Sequence, residues 1–333
     1  MNKEDHLFQL LSSLDQGEKR FVSLNITAQK GEDSKDYLYL YEYLLKQNSY
    51  DEDDVKEQVT KKISKHRFAA VKNYLYTKLL NLLRDYHAED SIDMQIRNHI
   101  QLVEVLFRKG LIKQSEKQLH SAKKLAIKHH KIRQFIQIYD WEYAISTVSE
   151  KPTDREISFE KIDIEEQHTL NLLKLQFEYH RLHFKIFNHL YKYGIPNNEE
   201  SRAFFREILT DAQMIAVPAA PPYTMDLYYS ILNACHHMCD NLDKAAESGK
   251  LRLKVYEDNP DFAIDESYHY AAAINNYLQN VVRMENWEEG LLILEKAKSF
   301  AVKNRRKLLD VSYVLFKYVT HQFKIKILMA QKL

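Results

Sequence analysis

Glycine and proline are scarce in this chain, with six of each among 333 residues. An average protein carries roughly 7% glycine and 5% proline. Sheet proteins draw on both residues for their tight reversals, so the composition argues against sandwiches, barrels and doubly wound sheets. The glycines are also far apart: the nearest pair, Gly17 and Gly31, is separated by 14 positions. No G-x-G-x-x-G, G-x-x-x-x-G-K or G-x-S-x-G motif can exist at that spacing, which removes the common phosphate-cradling loops and the nucleophile elbow. Two cysteines, Cys235 and Cys239, are too few for a disulfide framework and point to a reducing, cytoplasmic setting. No run approaches the about 18 uninterrupted apolar residues of a membrane span. The start of the chain has no basic segment followed by an apolar one. Leu7, Phe8, Leu10, Leu11 and Leu14 recur there at helical spacing, which describes an amphipathic helix rather than a signal peptide.

What is present suits an all-helical protein. The chain is 45% hydrophobic and 29% charged, with 48 basic and 47 acidic side chains. Apolar periodicity predicts about fifteen helices, near 3–14, 16–28, 35–47, 52–63, 65–86, 92–109, 111–129, 132–148, 160–193, 198–215, 223–239, 241–257, 264–284, 287–303 and 306–330. Asp15-x-x-Glu18 is a capping box, and Ser34, Asp51, Ser64 and Ser91 are candidate N-caps. One clear stripe is Phe68, Val71, Leu75, Leu79 and Leu82. In Tyr37-Leu38-Tyr39-Leu40-Tyr41-Glu42-Tyr43, the stripe Leu38, Tyr41, Leu44, Leu45 favours helix over strand. Breaks are expected at 149–157, at Gly194 to Asn198 and at Val217 to Pro222, none long enough for an interdomain tether. The chain therefore reads as an N-terminal helical region, 1–90, continued by a repeat region, 91–333, as one array.

Internal similarity supports the repeat. The turn Glu285 to Gly290, with Trp287 inside it, is followed by Leu294 and Ala297; Gly110, Ile112, Ser115, Leu119 and Ala122 repeat that spacing, and Asp240-Asn241-Leu242 with Ala245 begins a third copy. In the third copy, Gly249 and Arg252 stand where a large and a small residue belong. The pattern resembles the second-helix half of a tetratricopeptide repeat, over about a third of the chain. The first-helix half of that motif is missing, and Ala245 to Gly290 spans 45 residues. The resemblance implies a right-handed α-solenoid of antiparallel helix pairs whose small residues let neighbouring helices approach, and a concave groove for a peptide or partner helix.

Candidate chemistry is thin. Cys235-His236-His237-Met238-Cys239 invites a metal reading, but a structural zinc site takes four ligands and no second cysteine pair exists. Packed thiols are the simpler assignment. Glu165-x-x-His168 and Glu266-x-x-His269 match half of a di-iron helix motif, at a frequency that chance supplies in a chain with 15 histidines. No nucleophile is marked by a motif, and nothing calls for a cofactor. Charge is distributed unevenly: Phe107 to Arg133 carries nine Lys or Arg against Glu116 alone, Lys296 to Leu333 ten against Asp310 alone, and residues 1–60 a net −6. Lys113, Lys117, Lys124, Lys128 and Lys131 form a stripe that could meet a polyanion or an acidic partner, or simply solvate a helix. The expected function is non-enzymatic protein–protein interaction by a helical-repeat scaffold. The alternative is nucleic-acid binding or transcriptional regulation through the basic helices 107–133 and 296–333.

Overall fold

The structure, a computed structural model, describes residues 5–27, 32–89, 91–148, 152–215, 220–305, 308 and 310–330. These residues are all-helical, with no strand among them. Sixteen α-helices follow in order: α1 (His6–Ser13), α2 (Gln16–Thr27), α3 (Glu32–Leu44), α4 (Glu52–Val59), α5 (Phe68–Tyr86), α6 (Ile92–Arg108), α7 (Ile112–Lys128) and α8 (Phe135–Thr147), then α9 (Pro152–Tyr193), α10 (Glu199–Met214), α11 (Pro222–Met238), α12 (Leu242–Asp258), α13 (Pro260–Asp265), α14 (Ser267–Arg283), α15 (Trp287–Lys303) and α16 (Asp310–Ala330). Among the described residues no helix is long and apolar enough to cross a membrane.

The helix starts follow from local chemistry. Glu18 N–H donates to Asp15 Oδ1 at 2.8 Å while Asp15 N–H donates to Glu18 Oε2 at 2.7 Å, so the capping box is reciprocal. Asp51 accepts from the N–H groups of Asp53 and Asp54, and Ser91 Oγ accepts from Met94 N–H. Ser64 instead precedes a 3-10 turn and makes no cap bond, while Ser34 lies inside α3. In the expected break at 149–157 the described residues, 152–157, are helix. Pro152 opens the 42-residue α9, a first-turn position where its missing N–H costs nothing. Pro222 and Pro260 open α11 and α13 in the same way. Residues 149–151 of the first break and 217–219 of the third lie outside the described residues.

The chain divides into two compact units, Met1–Gln95 and Ile96–Leu333. In the first, α1, α2 and α3 each pack on α5. Leu7, Leu11, Val22, Ile26, Leu40, Leu75 and Leu79 are at its centre. The tyrosine-rich helix α3 turns Tyr37, Leu40, Tyr41 and Leu44 inward and leaves Leu45 exposed, one step round from the expected stripe. The Tyr41 hydroxyl, at 2.9 Å from Ser23 Oγ, keeps a polar partner at that inner register.

In the second unit α9, α10 and α11 share one core built on Tyr179, Phe205 and Ile231, and α12 to α16 share another built on Tyr256, Tyr277 and Phe316. Packing follows chain order. Helix α11 packs on α12, α12 on α14, α14 on both α15 and α16, and α15 on α16. Four of the turns are built alike. Gly110, His130, Asp240 and Glu285 all have positive φ, at 72°, 53°, 57° and 56°. The next N–H reaches back five residues: Leu111 to Leu106 O, Lys131 to Ala126 O, Asn241 to His236 O and Asn286 to Val281 O, at 2.9 to 3.0 Å. This is the Schellman ending of a helix. Across three of these turns the helices run antiparallel, as the cross-links Ser115 to Val103, Asn233 to Ala245 and Tyr277 to Glu289 require.

Candidate functional site

Counting from the positive-φ residue aligns three helix pairs, α6/α7, α11/α12 and α14/α15. Five residues on stand Ser115, Ala245 and Gly290, all buried. Twelve on stand Ala122, Arg252 and Ala297, and fourteen before stand Ile96, Asp226 and Ala271. Two of the pairs thus place apolar residues at the last two positions. The α11/α12 pair places an arginine and an aspartate there, with side chains only 5% and 3% exposed.

Arg252 Nε donates to Asp226 Oδ1 at 2.7 Å and Nη2 to Oδ2 at 3.3 Å. Burial opposes the guanidinium charge, but Asp226 and Tyr256 outweigh it and hold Arg252 above its ordinary value. Arg252 Nη1 and the Tyr256 hydroxyl are buried and have no hydrogen-bond partner among the described residues, although Tyr256 lies near the Asp226 carboxylate. Gly249, one turn before Arg252, gives room to two neighbours: a Cβ there would stand 2.9 Å from both Asn233 Nδ2 and Tyr277 Cδ2. Asn233 in turn donates to Ala245 O at 2.7 Å.

Further polar groups surround the pair. His183 of α9 lies 3.2 Å from Ser230 Oγ, and burial together with Arg252 pushes its imidazole down to about 4, so it is neutral at pH 7. Burial and Arg133 lower His180, which accepts from Arg133 Nη2 at 3.0 Å. The Tyr223 ring stands between His180 and His269, at 5.6 and 6.1 Å. Burial raises Glu266 despite Lys131 at 3.4 Å, and His129 bonds Asp265 at 3.0 Å. A serine beside a histidine suggests a nucleophile and its base. Here the nearby carboxylate is held by Arg252, Ser230 is buried, and an imidazole at about 4 is far from the value a general base needs at neutral pH.

The other sequence-derived residues are dispersed. Lys113, Lys117, Lys124 and Lys128 are exposed on α7, but Lys131 leaves that helix, beyond the His130 turn. Lys128 pairs with Asp261 at 3.5 Å and Lys131 with Glu266, so the far end of the stripe is neutralised from α13 and the start of α14. Lys123 is held between Glu142 and Glu165 at 2.8 and 2.7 Å. Ser115, Ala122, Ala245, Gly290 and Ala297 are packed as small residues, with Gly290 facing Ile327 and Val281, and Trp287 lies half-buried on the same core. Gly110 differs: a Cβ there would meet nothing within 4 Å, so glycine answers to the backbone conformation at that turn rather than to close packing. Cys235 is fully buried and its thiol is pushed up to about 12 by burial, while Cys239 Sγ contacts Arg202 O at 3.8 Å. Glu165 binds Lys123 and His168 is exposed, so that pair does not converge. Among the described residues no group of three His, Cys, Asp or Glu side chains is placed to hold a metal.

No family model, curated protein or solved structure matches the chain. The assignment of a function therefore rests on the molecule's own geometry.

One surface was absent from the sequence reading. Along α9, Leu170, Phe177, Phe184 and Tyr191 are 41%, 59%, 71% and 94% exposed, each seven residues from the next. That spacing is present in the sequence, within the segment whose apolar periodicity predicts the helix near 160–193. Its inward face (Tyr179, Leu182, Ile186) accounts for the amphipathicity and masks the second stripe.

Proposed function

We propose that the chain is a non-enzymatic helical-repeat protein, tetratricopeptide-like in its second unit, which binds a protein partner as a scaffold. The supporting observation is the recurrent turn: three helix pairs share a Schellman ending and a buried small residue five positions on. Units stacked in this way bury one side of each helix against its neighbours and leave an extended surface for a peptide or helix. Right-handed winding and a concave groove follow from the tetratricopeptide analogy. Free thiols at Cys235 and Cys239 suit a reducing, cytoplasmic setting.

The rival reading, nucleic-acid binding, draws on Lys113, Lys117 and Lys124, exposed cations without an ion pair among the described residues. Three phosphate contacts would give a log–log salt slope of about −2.7 on duplex DNA. The separating experiment is heparin chromatography with a DNA and RNA shift assay at low salt. The protein-binding reading expects no shift of DNA or RNA, and any retention on heparin to survive the loss of Lys113, Lys117 and Lys124. A salt-dependent shift abolished by Lys113→Glu, Lys117→Glu and Lys124→Glu together would establish the rival.

A further inference from the structure

We infer that the outer face of α9 is the docking surface, and that its occupant is an acidic amphipathic helix of another protein. This rests on the protein-binding reading above and names the partner's chemistry. The stripe Leu170, Phe177, Phe184, Tyr191 advances about 10 Å per step and roughly 30 Å in all. Phe187, 59% exposed, widens it. A strict seven-residue period on a 3.6-residue helix drifts slowly round the cylinder, and a second helix follows such a seam by supercoiling along it. Contiguous exposed apolar surface of this kind marks an interaction site.

The charges beside the rings select the partner. Lys174 and Arg181 follow Leu170 and Phe177 by four residues, Lys185 adjoins Phe184, and Lys192 adjoins Tyr191. All four are exposed, and Lys174, Arg181 and Lys185 make no ion pair among the described residues. From Leu170 to Tyr193 the only acidic residue is Glu178, which is half-buried. A helix that covers the rings must bring carboxylates to these four cations. A second copy of the chain does not satisfy this condition: two-fold antiparallel pairing centred on the rings would set Arg181 beside its own counterpart and bring Lys174 of each copy near Lys185 of the other. Single-stranded nucleic acid offers negative charge, but rings 10 Å apart along a helix are spaced for side chains in a helical seam rather than for successive stacked bases.

The test is fluorescence anisotropy on the whole chain, using a labelled helical peptide of three to four heptads with leucines at the seam and glutamates beside them. Controls are a lysine-for-glutamate version of the peptide and oligo-dT. Saturable binding of the acidic peptide alone is expected, weakened at least tenfold by Phe184→Ser with Tyr191→Ser and separately by Arg181→Glu with Lys185→Glu. These positions are exposed, so unchanged circular dichroism confirms that the variants are folded. Equal binding by wild type and variants, or no binding, overturns the proposal. So does preferential binding of oligo-dT, or a dimer in sedimentation that the same substitutions dissociate. A helical-peptide library selected on the whole chain separates the two levels of the argument. Binders indifferent to the α9 substitutions would leave the protein-binding reading standing and remove α9 from it, whereas a library without binders would remove the reading itself.

Discussion

The Arg252–Asp226 pair gives the sharpest energetic prediction. Its two side chains are 5% and 3% exposed and joined by two hydrogen bonds, at positions where the α6/α7 and α14/α15 pairs carry Ile96 with Ala122 and Ala271 with Ala297. Putting the repeat's own residue at one position alone should therefore be harmful. Arg252→Ala or Arg252→Met strands a buried carboxylate, and Asp226→Leu strands a buried guanidinium. Either should cost about 3–5 kcal/mol, a large part of the about 5–15 kcal/mol that holds a domain together. Arg252→Met combined with Asp226→Leu removes both charges at similar volume, and the double variant should lie near wild type or be more stable by about 1–4 kcal/mol. Urea denaturation followed by circular dichroism measures all four corners of the cycle. Singles that cost under about 1 kcal/mol and simply add in the double variant would show that the two groups are solvated and independent, and the burial argument would fail.

Other expectations are more local. Gly290→Leu should destabilise by about 1–3 kcal/mol, because even a Cβ there stands 2.9 Å from Ile327 Cδ1 and 3.4 Å from Val281 Cγ1; an unchanged urea midpoint would place Gly290 away from that contact. Glu285→Gly should stabilise by about 0.5–1 kcal/mol, since φ of 56° strains a residue with a Cβ; a loss of stability would mean the side chain matters more than the turn. His183 takes up its proton near 6.5 when unfolded and near 4 when folded, so between those values unfolding binds a proton. Its contribution is complete above about pH 6.5 and falls on acidification toward pH 4, by up to about 1.4 kcal/mol per unit. The urea midpoint of His183→Asn should fall less steeply than that of wild type from pH 7 to 5, and parallel slopes would contradict the shift.

Composition made the helical class legible, because a chain with so few glycines and prolines cannot make the turns of a sheet protein. Short-range signals also served well: Asp15 and Glu18 cap each other as their spacing requires, and Phe68, Val71, Leu75 and Leu79 face the core of the first unit. Register within a helix was harder. Every second residue from Tyr37 to Tyr43 is aromatic, so two adjacent stripes were nearly equivalent and tertiary packing chose between them. Proline was misleading at Pro152, since the same residue that ends one helix can begin the next. The departure from the repeat at Arg252 was visible in the sequence, but its partner was not. Asp226 lies 26 residues away on the preceding helix, and only the antiparallel register brings the two together. The outer stripe of α9 was legible in principle as a seven-residue period, hidden by the inward stripe that shares the helix.

Whether the chain binds a partner helix on α9 is decided by selection of a helical-peptide library on the whole chain, followed by titration of the enriched sequences. The enriched sequences should converge on acidic amphipathic helices that bind with a stoichiometry of one and compete with one another for the α9 surface. A folded chain that enriches no peptide, yet shifts DNA or RNA in a salt-dependent way, would contradict such binding.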